Sequence, residues 1–193
     1  PLAAGDLPLP ARLAAAVTCI AGAAALGLSQ GPAFAACVGA YLAINLGYSF
    51  GLKEWLLVDV ILLAALYTVR VVAGAALVQV QLTDWFLAFS IFLFLSLALL
   101  KRVVELERSD LDGSEKLPGR PYRSSDVPLL RTAGVGSGLM SAVVYCLYIA
   151  GPQAEELYGR PELLWAGLPL FLYWLVRMWL LADRGPVAED PVA

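Results

Sequence analysis

The sequence contains no histidine. That excludes histidine-based triads, imidazole general bases and imidazole metal ligands. Any chemistry falls to carboxylates, cations, hydroxyls or a metal held by oxygen. Charge is scarce as well: 15% of the 193 residues are Asp, Glu, Lys or Arg, against roughly 25% in ordinary soluble domains. The three cysteines, Cys19, Cys37 and Cys146, lie in apolar stretches without metal-type spacing, which reads as small hydrophobic packing. No charged, apolar and cleavage-site pattern opens the chain, and its first residue is Pro1, not methionine. Internal repeats and a separate soluble domain are also missing from the pattern.

What is abundant is apolar surface. Hydrophobic residues make up 60% of the chain and the mean hydropathy is +0.75. Several apolar stretches approach or exceed ~18 residues, the length that argues for membrane-spanning helices. The expected fold is therefore all-α, a polytopic transmembrane helix bundle forming one domain. Six spans are expected, at about 11–28, 32–50, 54–80, 84–102, 127–150 and 161–182, with 103–126 as a long polar loop. One set of helix ends carries Arg12, Lys53, Lys101, Arg102, Arg108, Lys116, Arg120, Arg123, Arg131 and Arg184. The opposite loops carry only Arg160, beside Glu155, Glu156 and Glu162. Lys and Arg bias sets orientation, so the basic ends, the long loop and both chain ends are expected on the cytoplasmic side.

Two ionisable residues interrupt the third apolar stretch, Asp59 and Arg70. Such groups usually face a bundle interior or a polar cavity. Eleven residues apart, they lie about 16 Å apart along one helix face. Asp59 reads either as a Mg²⁺ ligand, since magnesium prefers carboxylates and substrate phosphates, or as an interfacial aspartate near a helix end. Arg70 reads either as a substrate contact or as a structural partner for a carbonyl or carboxylate elsewhere in the bundle. Lys53, at the mouth of the same helix, and Lys101-Arg102, at the end of the fourth, are membrane anchors or a phosphate site. Glu105 can meet Lys101 at i, i+4 and Arg102 at i, i+3. Asn45, Tyr48 and Tyr67 add polar groups around the charged region. The loop sequence Gly119-Arg120-Pro121-Tyr122-Arg123 combines a turn, two cations and an aromatic, which suits a substrate lid. Gly134 and Gly138 form a G-x-x-x-G pair, expected to pack closely on a neighbouring helix.

At these residues the pattern becomes a family pattern. The run Y-S-F-G-L-K-E-W-L-L-V-D-V-I-L-L-A-A-L-Y-T-V-R-V-V-A-G-A (48–75) and the run D-W-F-L-A-F-S-I-F-L-F-L-S-L-A-L-L-K-R-V-V-E-L (84–106) resemble the UbiA superfamily of intramembrane prenyltransferases. The nearest branch in this resemblance is the decaprenyl-phosphate phosphoribosyltransferase type. The loop G-R-P-Y-R-S-S-D and the closing apolar stretch fit the same branch. The resemblance implies about nine helices and two acidic motifs. By that comparison the chain is expected to lack the first two helices, the first acidic motif and the last helix, and to be inactive alone. Asp59 matches the second acidic region as a lone aspartate.

The implied chemistry is Mg²⁺-dependent transfer between a polyprenyl phosphate and phosphoribosyl diphosphate, in a bacterial cytoplasmic (inner) membrane. The alternative is prenyl transfer from a polyprenyl diphosphate to an aromatic or other acceptor. In either, Asp59 and Lys53 are the expected catalytic residues, with Asp59 on the metal. Asn45, Tyr48, Tyr67, Arg70, Lys101, Arg102, Glu105, Arg120, Tyr122 and Arg123 are the expected substrate contacts. A reading of another class is a non-enzymatic membrane transporter or scaffold, in which Asp59 and Arg70 serve ion movement. Nucleic acid is not an expected partner.

Overall fold

The computed structural model describes residues 9–111 and 119–184. The opening segment 1–8 and the loop segment 112–118, with Lys116, lie outside the described residues. Within them the chain forms α1 (Leu9–Ser29), α2 (Pro32–Phe50), α3 (Val58–Leu77), α4 (Asp84–Leu111), α5 (Val127–Ile149), α6 (Pro152–Leu157) and α7 (Gly167–Asp183). Short 3₁₀ turns at Leu52–Glu54, Ser124–Asp126 and Pro161–Ala166 lead into α3, α5 and α7.

Among the described residues, five helical segments are long and apolar enough to cross a membrane: Pro32–Phe50, Val58–Leu77, Asp84–Ser109, Ser124–Ile149 and Pro161–Asp183. In α1 the apolar part is the shorter Val17–Ser29. The protein is an all-α integral membrane bundle.

Two boundaries differ from the sequence reading, and both differences shape the site. The third helix begins at Val58, not at residue 54, because Leu57 adopts a left-handed conformation (φ 63°) that breaks the path from the 3₁₀ turn. The fourth helix runs on past residue 102 to Leu111. Its polar-looking end, K-R-V-V-E-L-E-R, still buries Arg102, Val103, Val104 and Leu106 on one face. Tertiary burial of that face sustains the helix.

The core lies along α4. Ala98, Leu99, Leu100, Val103 and Leu106 of α4 pack with Val60 of α3, Leu130 of α5 and Leu175 and Trp179 of α7. Helix α2 has no buried residue. Helices α4 and α5 approach closely through the small residues of α5, as the G-x-x-x-G pair implies. Ser137 donates to the Phe92 carbonyl at 2.7 Å, and Trp179 Nε1 donates to Ser96 Oγ at 3.2 Å. Such interhelical bonds replace the water that hydrocarbon cannot supply. At the polar end, Arg131 of α5 bridges Glu107 of α4 and Asp183 of α7.

A Cβ at Gly134 would lie 2.4 Å from the Trp179 ring, whereas one at Gly136 meets nothing within 4 Å. Gly134→Ala must displace Trp179 from Ser96, and overpacking of this kind costs about 1–3 kcal/mol. Thermal unfolding in detergent is expected to show a clear loss for Gly134→Ala and none for Gly136→Ala. Equal melting of the two variants would contradict this packing.

Candidate anion-binding site at the polar end of the bundle

The C-terminal end of α2, the start of α3, the later turns of α4 and the loop before α5 meet at one end of the bundle. Asp59, in the first turn of α3, is fully buried there. Its Oδ2 accepts from Arg102 Nε at 2.7 Å and from Arg120 Nη1 at 3.1 Å. Its Oδ1 accepts from the Tyr122 hydroxyl. Arg102 is also fully buried, and its other nitrogens reach Glu105 through Nη1 and Tyr48 Oη at 3.3 Å through Nη2. Arg120 Nη1 donates to Tyr48 Oη at 2.9 Å as well, with its guanidinium 5.9 Å from the Tyr48 ring centre.

The local chain path explains these positions. Gly119 takes φ +68°, a conformation that L side chains rarely adopt, and turns the chain into Arg120. Tyr122 then runs inward, fully buried. Its oxygen also accepts from the Leu57 N–H at 3.1 Å. That bond, 65 residues away in sequence, helps hold Leu57 in its left-handed conformation, which is costly for a branched residue. Burial, then the bond to Asp59, pushes the Tyr122 hydroxyl above its ordinary range, so it stays a proton donor at any ordinary pH. At Arg120, burial favours loss of the proton. Tyr48, Glu105 and Asp59 outweigh it, so the guanidinium is held above its usual value.

Half of the expected site residues join in one cluster here, and the others do not. Asp59, Tyr48, Arg102, Glu105, Arg120 and Tyr122 form one hydrogen-bonded cluster. Lys53 lies half-buried in the turn beside it, and Lys101 points outward from α4. Asn45 is half-buried one turn before Tyr48 and has no side-chain hydrogen bond among the described residues. Arg123 is exposed, and its backbone N–H donates to Asp126 Oδ2 at 2.9 Å. Arg70 and Tyr67 lie elsewhere. Arg70 donates to Tyr41 Oη at 2.5 Å and stacks on the Tyr41 and Tyr67 rings, 5.1 Å from each centre. Tyr67 also stacks on Phe94.

Sequence reasoning missed Tyr41 and the backbone of Leu57. Tyr41 had a signal: Tyr41, Asn45 and Tyr48 fall at i, i+4 and i+7, one stripe of α2. Leu57 had none, since its conformation depends on a distant hydroxyl.

The expected magnesium role of Asp59 can be tested on the donor set. A carboxylate offers about four lone-pair positions, and three are taken by Tyr122, Arg102 and Arg120. Among the described residues, no three acidic, histidine or cysteine side chains come together as metal ligands. Two guanidinium charges beside Asp59 oppose a divalent cation. The described residues do not fit a protein-held magnesium site.

The UbiA prenyltransferase family model matches residues 1–192. The chain belongs to the UbiA prenyltransferase family. An uncharacterized protein of Sinorhizobium fredii is 38% identical over 160 residues, which are 82% of this chain and 31% of that protein. Nodulation protein NoeC of Azorhizobium caulinodans is 30% identical over 158 residues, 80% of this chain and 50% of that protein. The decaprenyl-phosphate phosphoribosyltransferase of Corynebacterium glutamicum is 34% identical over 119 residues, 60% of this chain and 35% of that enzyme. The chain thus spans half or less of the length of each of these relatives.

Proposed function

We propose that this chain forms part of an integral-membrane transferase acting on a polyprenyl phosphate. The cluster around Asp59 would hold the diphosphate of phosphoribosyl diphosphate at the cytoplasmic face of a bacterial inner membrane. The observation that carries this reading is the state of Arg120. Among the described residues it is anchored through Nη1 alone, to Asp59 and Tyr48, with its side chain 21% exposed. Nε and Nη2 are left for a ligand, and a guanidinium fork suits phosphate oxygens. Tyr48 Oη accepts from both arginines, so its own proton is free to donate to the same anion. Lys53, half-buried in the turn before α3, adds positive charge on the same side. The similarity to decaprenyl-phosphate phosphoribosyltransferases supports the choice of substrates.

The absence of histidine is no obstacle to this reaction. A phosphate monoester, with a second pKa near 6, is already largely dianionic at neutral pH. Its oxygen attacks the anomeric carbon, a new C–O bond forms, and the bond to the diphosphate breaks with both electrons leaving on the diphosphate. Charge on the departing group grows during this step, so Arg102 and Arg120, held in place beforehand by Asp59, stabilise it electrostatically. Magnesium enters the proposal only as an ion carried on the diphosphate.

The test is turnover of labelled phosphoribosyl diphosphate and polyprenyl phosphate by the full-length protein in detergent. Formation of a polyprenyl-linked phosphoribose is the expected result. Product from a polyprenyl diphosphate and an aromatic acceptor, with none from phosphoribosyl diphosphate, would replace this reading by prenyl transfer.

A further inference from the structure

Arg70, like Arg177 of α7, is an arginine inside a membrane-spanning helix that the anion site does not use. It is the thirteenth residue of α3, about 18 Å along the helix from Val58, and so near the middle of a hydrocarbon layer roughly 30 Å thick. Its guanidinium has five N–H donors. One is recorded as donating to Tyr41 Oη, and the faces of the group stack on Tyr41 and Tyr67. Among the described residues the other donors have no recorded partner, and Arg70 lines a cavity of about 510 Å³ between α1, α2 and α3, with Phe34, Val38, Tyr41 and Ala73 among others. Aromatic faces ease the burial of a cation but do not satisfy its N–H groups.

The geometry points to a docking surface on α2 and α3 for a further membrane helix carrying an Asp or Glu at mid-membrane depth, which pairs with Arg70. Depth excludes a lipid headgroup, because phosphates lie at the edge of the hydrocarbon. A second copy of this chain does not offer the partner. In the described spans, Asp59 is buried and committed to Arg102, Arg120 and Tyr122, while the other acids lie at helix ends or in turns. Charge complementarity therefore demands a carboxylate from elsewhere. Helix α2, with no buried residue, has apolar surface free to receive a helix. The relatives are two to three times as long as the matched region, which leaves room for such a helix within one polypeptide. Tyr41 is part of the recognition: it accepts from Arg70, and its own proton can donate to the incoming carboxylate. The inference stands apart from the transferase reading, because its readouts need no substrate.

The experiment uses the full-length protein in native membranes, with the photoreactive residue p-benzoylphenylalanine replacing Phe34. The expected product is a cross-link to a transmembrane segment outside residues 1–193 that carries Asp or Glu near its centre. Adducts to lipid alone, or to a helix without an acidic residue, overturn the proposal. Charge reversal provides the second measurement. Arg70→Glu is expected to lower the yield of monodisperse protein roughly tenfold, as uncompensated intramembrane charge does. Exchanging the cross-linked acid for Arg in the same protein restores the yield to within roughly twofold if the two groups pair. Failure of the exchange to restore it removes the pairing.

Discussion

Asp59→Asn is expected to cost the full-length protein both its fold stability and its turnover. The substitution keeps the shape of the side chain and removes its charge. Arg102 then lies fully buried with only Glu105, itself partly exposed, to balance it. Breaking a buried ion pair from one side typically costs about 3–5 kcal/mol. An amide also replaces one acceptor oxygen by a donor, setting an NH₂ group against either Tyr122 or the two arginines. Thermal unfolding in detergent should fall well below the parent protein, and turnover should drop at least about a hundredfold. The double variant Asp59→Asn/Arg102→Gln separates the two effects. With both charges gone, part of the stability returns, since no fully buried ion is left unpaired, while activity stays lost because the buried positive charge beside the site has gone too. Full thermal stability in Asp59→Asn would show that the pair contributes nothing to the fold. Recovery of activity in the double variant would show that the pair is structural only.

The second large effect is expected at Arg120, and it has the opposite signature. Arg120 is partly exposed and belongs to the loop, so its removal leaves Asp59 with Arg102 and Tyr122 still bound. Arg120→Gln should melt close to the parent protein. A hydrogen bond to a charged group contributes about 1.5–3 kcal/mol, so affinity for a diphosphate should fall about tenfold to a hundredfold per lost contact. The loss appears in KM if Arg120 binds substrate and transition state equally. It appears in kcat if the contact strengthens as the diphosphate departs. Arg120→Lys should recover only part of it, because an ammonium cannot bridge Tyr48, Asp59 and a ligand with a planar fork.

How much of this was legible in the sequence follows the physics of each residue. The membrane class and helix bundle came from hydropathy, which is a local property and survives without tertiary contacts. Asp59 was visible because a carboxylate in an apolar stretch stands out. Its partners were harder to read. Arg102 read as a helix-end cation or as a member of a phosphate cluster, since sequence alone cannot show that α4 continues to Leu111 and turns Arg102 inward. The start of α3 was misplaced for a related reason. Leu57 is left-handed where the Tyr122 hydroxyl meets its N–H, a contact made only after folding. The eleven-residue spacing of Asp59 and Arg70 suggested one site, yet packing divides them: α4 and the loop close over Asp59, while Tyr41 and Tyr67 take Arg70.

Arg120, anchored by Asp59 and Tyr48 beside Arg102, is the expected contact for the diphosphate of a substrate. Equilibrium titration of phosphoribosyl diphosphate into the full-length protein and its Arg120→Gln variant tests this most directly. A tenfold to about hundredfold weaker Kd is expected in the variant, with its melting temperature close to the parent protein's. An unchanged Kd in a well-folded Arg120→Gln protein would contradict that contact.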